Sequence, residues 1–378
     1  MRKIAVILLS VLLCLLFINI NCFAEEHSEK PTLNISFDSR IELLGTIVIL
    51  SDFVKNSNNC AVLNTVYKMN LIKYFTPYKD HLVIENYELL SKSKISISDF
   101  EEILLSLSPP PELKIKHSIS DVIIEKAGGI ENINKFLDLV RSFSNESSYI
   151  IFFNSQNELF GSILESVKKN ITNNSLIEEL ENYYGSTQDS YNIMLSPLLL
   201  FQIDSFIFTN DNMNKDLYAV FGLSSIRNGF LLFGSNEDYR NLYLNKWSYA
   251  FIDPIINKYN DDIDDLSYLF DNIEKKMNKL NIYNWRDCLT EHIVRSIAIR
   301  ISEKNNIITD TEKIIEECCE DGFIYLNSIL KSLKHFETER SIYLDLDKFF
   351  PEILKNLSNL IIYRIIKFFK QFFLFKLS

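Results

Sequence analysis

The sequence predicts an α+β protein that is predominantly helical and contains a small central β-sheet. Most of the chain carries apolar residues at helical spacing, interrupted by capping residues, glycine and proline. The middle of the chain differs, because short apolar runs alternate there with Asn, Asp and Gly turn residues, as strands do. The chain is also 47% hydrophobic over 378 residues, which is enough for a sizeable folded core.

Helices are predicted on both sides of the strand-rich middle. In the N-terminal part, residues 25–190, an extended start precedes helices within 36–53, 64–75, 98–107, 130–143, 149–171 and 175–184. In the middle part, residues 191–234, we expect strands within 191–207, 217–223 and 230–233. In the third part, residues 235–353, we expect helices within 235–252, 284–302, 310–320, 323–336 and 345–357. Two helix starts have the spacing of a capping box, namely Ser98 with Glu101 and Ser235 with Asp238.

Residues 1–24 have the pattern of an export signal. Two basic residues precede an apolar run from Ile4 to Ile20, and Cys22-Phe23-Ala24 offers small residues for cleavage. An uncleaved membrane anchor is the alternative, although the run is short for one. A lipid anchor at Cys22 is disfavoured, because residues 19–21 make a poor lipobox. We therefore expect an exported protein that resides in the periplasm or cell envelope or is secreted.

Charge and motif content exclude some ligands. The net charge is −11 and no glycine-rich phosphate loop occurs, so neither nucleic acid nor a nucleotide is expected as a partner. Residues 354–378 differ from the rest, since on a helical wheel their basic residues share one face and Phe and Ile cover the opposite one. This basic amphipathic tail suits contact with a membrane surface through residues 357–378. Alternatively, its apolar face packs on the protein body.

Six short blocks carry a resemblance that spans residues 33–353. Their order and spacing resemble a bacterial family of exported proteins of unknown function with an H-E-x-x-H, gluzincin-like zinc-metallopeptidase signature. The resemblance implies a zincin-like architecture for residues 25–353 and zinc as the family's cofactor. The blocks cover residues 37–44, 74–81, 183–198, 248–256, 283–295 and 349–353.

The catalytic positions of that signature are replaced in this chain. In such a motif two His bind zinc and the Glu activates a water. The corresponding residues here are Asn245, Lys246 and Tyr249, and of the ligands only Glu291 matches. The resemblance therefore implies a remnant site made of these four residues, with no catalytic residue and no metal. We expect Lys246 to form an ion pair with Glu291, or to approach it closely, and so to replace the charge of the metal.

Cys288, His292 and Arg295 are further candidates for this cleft. Together with Glu291 they recur at i, i+3, i+4 and i+7, so they share one helix face. One interpretation is a thiol nucleophile with a His base. The other is a partly buried polar seam, which we favour because no oxyanion donor is evident.

These expectations define three candidate functions. The first is an exported, catalytically inactive metallopeptidase-like protein that binds an unknown protein or peptide ligand in the cell envelope. The second is a hydrolase with an unconventional or weak metal site. The third is a structural envelope protein.

Overall fold

The computed structural model shows a mostly helical protein with a small mixed sheet. It describes residues 33–51, 65–170, 175–209 and 215–375, of which 169–170 and 361–375 are described by their backbone alone. The α+β class predicted from the sequence is confirmed at this level. The predicted signal peptide, residues 1–24, and Cys22 lie outside the described residues.

The N-terminal part begins with strand β1, Leu33–Ser36, and continues through nine helices in the described ranges. A 3-10 turn, Thr76–Tyr78, follows the second of them. The helices are α1 Ser39–Leu50, α2 Val66–Phe75, α3 Leu82–Lys92, α4 Ile97–Leu105, α5 Asp121–Lys126, α6 Ile130–Glu146, α7 Tyr149–Asn154, α8 Asn157–Asn170 and α9 Ser175–Tyr184.

Within the described residues, the main sheet has four strands in the order β1-β2-β4-β3. Strand β2 pairs in parallel with β1 and with β4, while β3 pairs antiparallel with β4. A separate hairpin is formed by β5 and β6. The strands are β2 Ser190–Leu200, β3 Ile203–Thr209, β4 Lys215–Leu223, β5 Ser225–Arg227 and β6 Phe230–Leu232.

Helices dominate again after the hairpin. A π-helical turn, Leu242–Lys246, separates the first two of them, and 3-10 turns cover Ser267–Asn272 and Asn278–Leu280. The helices are α10 Asn236–Asn241, α11 Tyr249–Lys258, α12 Asn260–Asp264, α13 Glu274–Met277, α14 Trp285–Lys304, α15 Thr311–Asp321, α16 Leu326–Thr338 and α17 Leu346–Phe375.

The sheet is buried on both faces. Since successive side chains of a strand point to opposite faces, each strand contributes to two hydrophobic cores. In β2, Ile193 and Leu195 belong to one hydrophobic core, which the helices from α8 onward complete. Met194 and Leu198 belong to the other, which is shared with α1 to α8. The sheet therefore lies between two helical layers, and helices α11 and α14 belong to the first of these cores.

Two local expectations are wrong. The capping box of α4 is formed by Ser96 and Asp99, two residues before the predicted pair, with Asp99 N–H 3.1 Å from Ser96 Oγ. The two capping patterns overlap in the sequence, so spacing alone did not separate them. The predicted single helix over 149–171 is two helices, α7 and α8, which are separated at Ser155 and Gln156.

The helix that follows the π-turn does not end before Pro254, as the sequence had suggested. Helix α11 continues through Pro254 to Lys258. Proline lacks the N–H that would bond the carbonyl four residues earlier, which is that of Ala250. The Lys215 ammonium of β4 donates to this carbonyl oxygen at 2.8 Å. A tertiary contact thus satisfies the group that Pro254 leaves free.

Among the described residues, no helix combines the length and apolar character needed to cross a membrane.

Candidate functional site

The candidate site lies where α11 and the π-turn pack on α14. Ser235 and Asp238 form the predicted capping box of α10, with Ser235 N–H 2.7 Å from Asp238 Oδ2. The π-turn follows, and Trp247 N–H donates to the Leu242 carbonyl, five residues earlier, at 2.9 Å. The Trp247 side chain is fully buried. The turn therefore holds an extra residue, and the segment is not one regular α-helix.

This turn separates the positions that a zinc motif would bring together. Asn245 lines a cavity of about 380 Å³ together with Arg295, and its amide donates to Asn241 Oδ1 at 2.6 Å. Tyr249 lines a different cavity, of about 590 Å³, together with Glu291. We call the second one the Tyr249 cavity. The i and i+4 positions of the motif thus face two different spaces.

Tyr249, Glu291 and Arg295 form a connected group, here called the Tyr249 cluster. The Tyr249 hydroxyl donates to Glu291 Oε1. Arg295 Nη2 lies 3.2 Å from Glu291 Oε2, and its guanidinium carbon is 4.2 Å from the centroid of the Phe323 ring. Burial, and then the hydrogen bond to Glu291, raise the pKa of Tyr249, so its hydroxyl stays protonated at neutral pH. Both oxygens of Glu291 are therefore engaged.

The expected ion pair between Lys246 and Glu291 is wrong. Lys246 ends the π-turn and is exposed, and no ion pair that includes it occurs among the described residues. Arg295 pairs with Glu291 instead. The reason is local, because residues at i and i+4 of a helix are neighbours on its surface, and α14 holds both of these residues.

The residues present do not fit a catalytic zinc ion. Such a site needs three protein ligands, usually His, Asp, Glu or Cys. No group of three such side chains that could hold a metal occurs in the part of the chain that the structure describes. Tyr249 could ligate only as a phenolate, and its raised pKa opposes that form. Asn245 lines the other cavity.

Cys288 and His292 are in contact but are closed off from solvent. The Sγ–Nδ1 distance is 3.6 Å, and Nδ1 lies 2.7 Å from the Cys288 carbonyl oxygen, which can only accept a hydrogen bond, so Nδ1 is the donor. Both residues are fully buried. Burial raises the pKa of the thiol to about 12 and lowers that of the imidazole to about 4. A neutral thiol beside a neutral ring favours the polar seam over a nucleophile.

The Tyr249 cavity also contains residues that the sequence did not single out, namely Asp253, Arg286, Asp287 and Thr290. Burial raises the pKa of Asp253, Lys215 opposes this, and Asp287 adds to it. Asp287 precedes Glu291 by four residues, so helical spacing could have placed it on the same face. Asp253 could not be placed in this way, because its helix was expected to end there.

A protein-family model described as "Domain of unknown function (DUF4932)" matches residues 33–356. No curated protein matches the chain. No solved structure matches it either.

Proposed function

The chain belongs to the DUF4932 family, and we propose that it is a non-catalytic binding protein of the cell envelope. The observation that carries this proposal is the Tyr249 cluster. Glu291 is the one matched ligand of the peptidase-like signature, and a phenol and a guanidinium hold its two oxygens. A carboxylate held in this way is poorly suited to bind a metal or to take a proton from water.

The Tyr249 cavity is the contact surface in this proposal, and a protein or peptide is the ligand. Its volume of about 590 Å³ is sufficient for a side chain or a chain terminus. Export through residues 1–24 would place this surface in the envelope. The zincin-like architecture belongs to the proposal as well, since it rests on the resemblance of the sequence blocks. A hydrolase with an unconventional metal site and a structural envelope protein are the alternatives.

The first test measures metal content. Wild-type protein, purified after incubation with zinc and removal of the free ion, should retain no stoichiometric zinc. The triple variant Asn245→His, Lys246→Glu, Tyr249→His should retain none either. The physical reason is that the π-turn directs positions 245 and 249 into two different cavities, so the two new imidazoles cannot share one ion. Elemental analysis by plasma mass spectrometry gives the ratio of zinc to protein.

The control for this test is the single variant Tyr249→His, whose zinc content should equal that of the wild type. One zinc per wild-type chain would overturn the non-catalytic proposal in favour of the hydrolase. Zinc bound by the triple variant alone would mean that the π-turn relaxes to a regular helix when the motif is restored. The architecture would then be that of a peptidase, whereas the natural chain would still lack its chemistry.

A second proposed contact surface lies on the C-terminal helix, α17. The α17 backbone is helical without a break to Phe375, while its buried stripe, which includes Phe349, Ile353 and Leu357, anchors its first half to the body. No acid follows Glu352, whereas five basic residues do, namely Lys355, Arg364, Lys367, Lys370 and Lys376. We propose that the second half of α17 contacts an anionic membrane surface.

Removal of residues 361–378 tests this contact. The chain 25–378 should sediment with vesicles that contain phosphatidylglycerol, and the shortened chain should not, because the truncation removes four of the five bases and the Phe-rich stretch. Vesicles of phosphatidylcholine alone are the control for charge, and they should bind both chains weakly. Equal sedimentation of the two chains with anionic vesicles would reject the membrane contact and favour docking of the tail on the body.

A further inference from the structure

A third cavity lies away from the candidate site, between the start of α2, helix α8 and the β5–β6 hairpin. Its volume is about 420 Å³, within the range of small-molecule sites. It shares no lining residue with the Tyr249 cavity or with the cavity of about 380 Å³ that Asn245 lines. Six hydrocarbon side chains form most of its wall: Val66, Leu159, Ile163, Ile226, Phe230 and Leu231.

Among the described residues that line this cavity, none carries a carboxylate, ammonium or guanidinium group. The other two cavities each contain both acidic and arginine side chains. In a chain with a net charge of −11, an uncharged wall of this size indicates the kind of ligand it accepts. A charged molecule would lose its hydration here and gain no ionic partner, which is costly. The cavity is therefore matched to a neutral ligand.

Few polar groups remain available in the cavity. The Tyr67 hydroxyl donates to the buried Glu42 carboxylate at 2.6 Å, so Tyr67 offers the cavity mainly its ring. Ser162 Oγ donates within its helix, to the Leu159 carbonyl at 2.8 Å, and Thr65 Oγ1 caps α2. The Ser166 hydroxyl has no hydrogen-bond partner in the described part of the chain. One free hydroxyl suits a ligand with one polar group.

The rim of the cavity exposes large apolar side chains. Val66 is 67% exposed and Phe230 is 59% exposed. Phe230 follows the hairpin turn at Asn228 and Gly229, whose φ angles of 52° and 83° are those of a tight hairpin turn with two left-handed residues. The hairpin thus holds an aromatic ring at the mouth of the cavity. Covering this rim would remove apolar surface from water, which favours binding of an apolar molecule.

We propose that this cavity binds a neutral, largely apolar small molecule with one hydrogen-bonding group, of the class of a fatty alcohol or a fatty ester. The apolar wall and rim would take the hydrocarbon part, and the free Ser166 hydroxyl would take the polar group. This site goes beyond the proposed function, because its lining shares no residue with the Tyr249 cavity or with the Tyr249 cluster.

The test uses the neutral fluorescent probe N-phenyl-1-naphthylamine and the full chain. The probe should bind with a saturable one-to-one component. Phe230→Ala, which removes the ring at the mouth, and Ser162→Phe, which fills the space, should each weaken that component by about tenfold or more. Leu82→Ala is the matched control, because Leu82 is an equally exposed large apolar residue, 62% exposed, that does not line the cavity. It should leave binding unchanged.

Competition identifies the class of ligand. Decanol should displace the saturable component, and decanoate, which has the same chain length but carries a carboxylate, should do so about tenfold less well or worse. Equal displacement by the two would overturn the assignment to a neutral ligand. Absence of a saturable component, or one that Phe230→Ala and Ser162→Phe leave unchanged, would overturn the site itself. Unfolding midpoints of the variants, measured in parallel, show that each variant is folded.

Discussion

Replacement of Gly222 by alanine should lower the free energy of unfolding by more than about 3 kcal/mol, because it forces two central strands apart. A Cβ atom at this position would overlap the carbonyl oxygen and the carbonyl carbon of Leu200. Both are backbone atoms and cannot rotate away. The clash falls where β2 changes register against β4, between Ser196 and Leu200.

Urea unfolding followed by circular dichroism measures this loss. Gly161→Ala is the matched control, since a Cβ there meets no atom within 4 Å and the residue lies inside α8. The control should gain up to about 1 kcal/mol from the better helix propensity of alanine. A loss below about 1 kcal/mol for Gly222→Ala would show that the irregular segment of β2 moves freely, contrary to its close packing on Gly222.

The irregular segment of β2 also serves a polar contact in the core. Ser196, at the register shift, donates to Glu42 Oε1 at 2.6 Å, and Tyr67 donates to Glu42 Oε2 at 2.6 Å. Strand β2, helix α1 and helix α2 therefore meet at one carboxyl group. Tyr67 also lines the cavity assigned above to an apolar ligand. The buried carboxyl and the cavity wall are thus joined through one side chain.

The strands were predictable from the sequence because their signals are local. Apolar runs bounded by turn residues placed strands within 191–207 and 217–223, and the structure has β2, β3 and β4 there. The Ser235–Asp238 cap was predictable for the same reason, since a capping box is defined by residues three apart. Strand order was not predictable, because parallel pairing of β1 with β2 joins residues that lie more than a hundred positions apart.

The arrangement at the candidate site was harder to predict because it depends on tertiary contacts. Pro254 stays inside a helix because the carbonyl of Ala250 is satisfied by Lys215, which lies thirty-five residues before Ala250. The π-turn directly precedes the buried Trp247, and no spacing rule reveals such a turn. The sequence therefore placed Lys246 beside Glu291, whereas the extra residue in the turn directs Lys246 to solvent and leaves Arg295 as the partner.

Glu42 should make the stability of the protein depend on pH, and Glu42→Gln should remove that dependence. Complete burial raises the pKa of the Glu42 carboxyl to about 7, although the hydrogen bonds from Ser196 and Tyr67 lower it. In the unfolded chain the ordinary value of 4.5 applies. The contribution of this group to the stability of the protein is therefore fully present below its pKa in the unfolded chain. It is lost as pH rises through its pKa in the folded protein.

The measurement is the difference in unfolding free energy between Glu42→Gln and the wild type, from urea titrations between pH 4 and pH 8. At 1.36 kcal/mol per pKa unit, this difference should shift by about 3 kcal/mol in favour of the variant as pH rises. Other buried carboxyls, such as Glu101, titrate in both proteins and cancel.

Glu165→Gln, at an exposed position of α8, is the matched control for the loss of one carboxyl. The difference in unfolding free energy between this variant and the wild type should stay nearly constant with pH. If the difference in unfolding free energy for Glu42→Gln were also constant with pH, the two hydroxyl donors, rather than burial, would determine the pKa of the Glu42 carboxyl. It would then be an ordinary ionised group across this range. The neutral amide at this position can still accept from one hydroxyl, so any shift with pH reports the cost of the buried charge rather than loss of the contact between α1, α2 and β2.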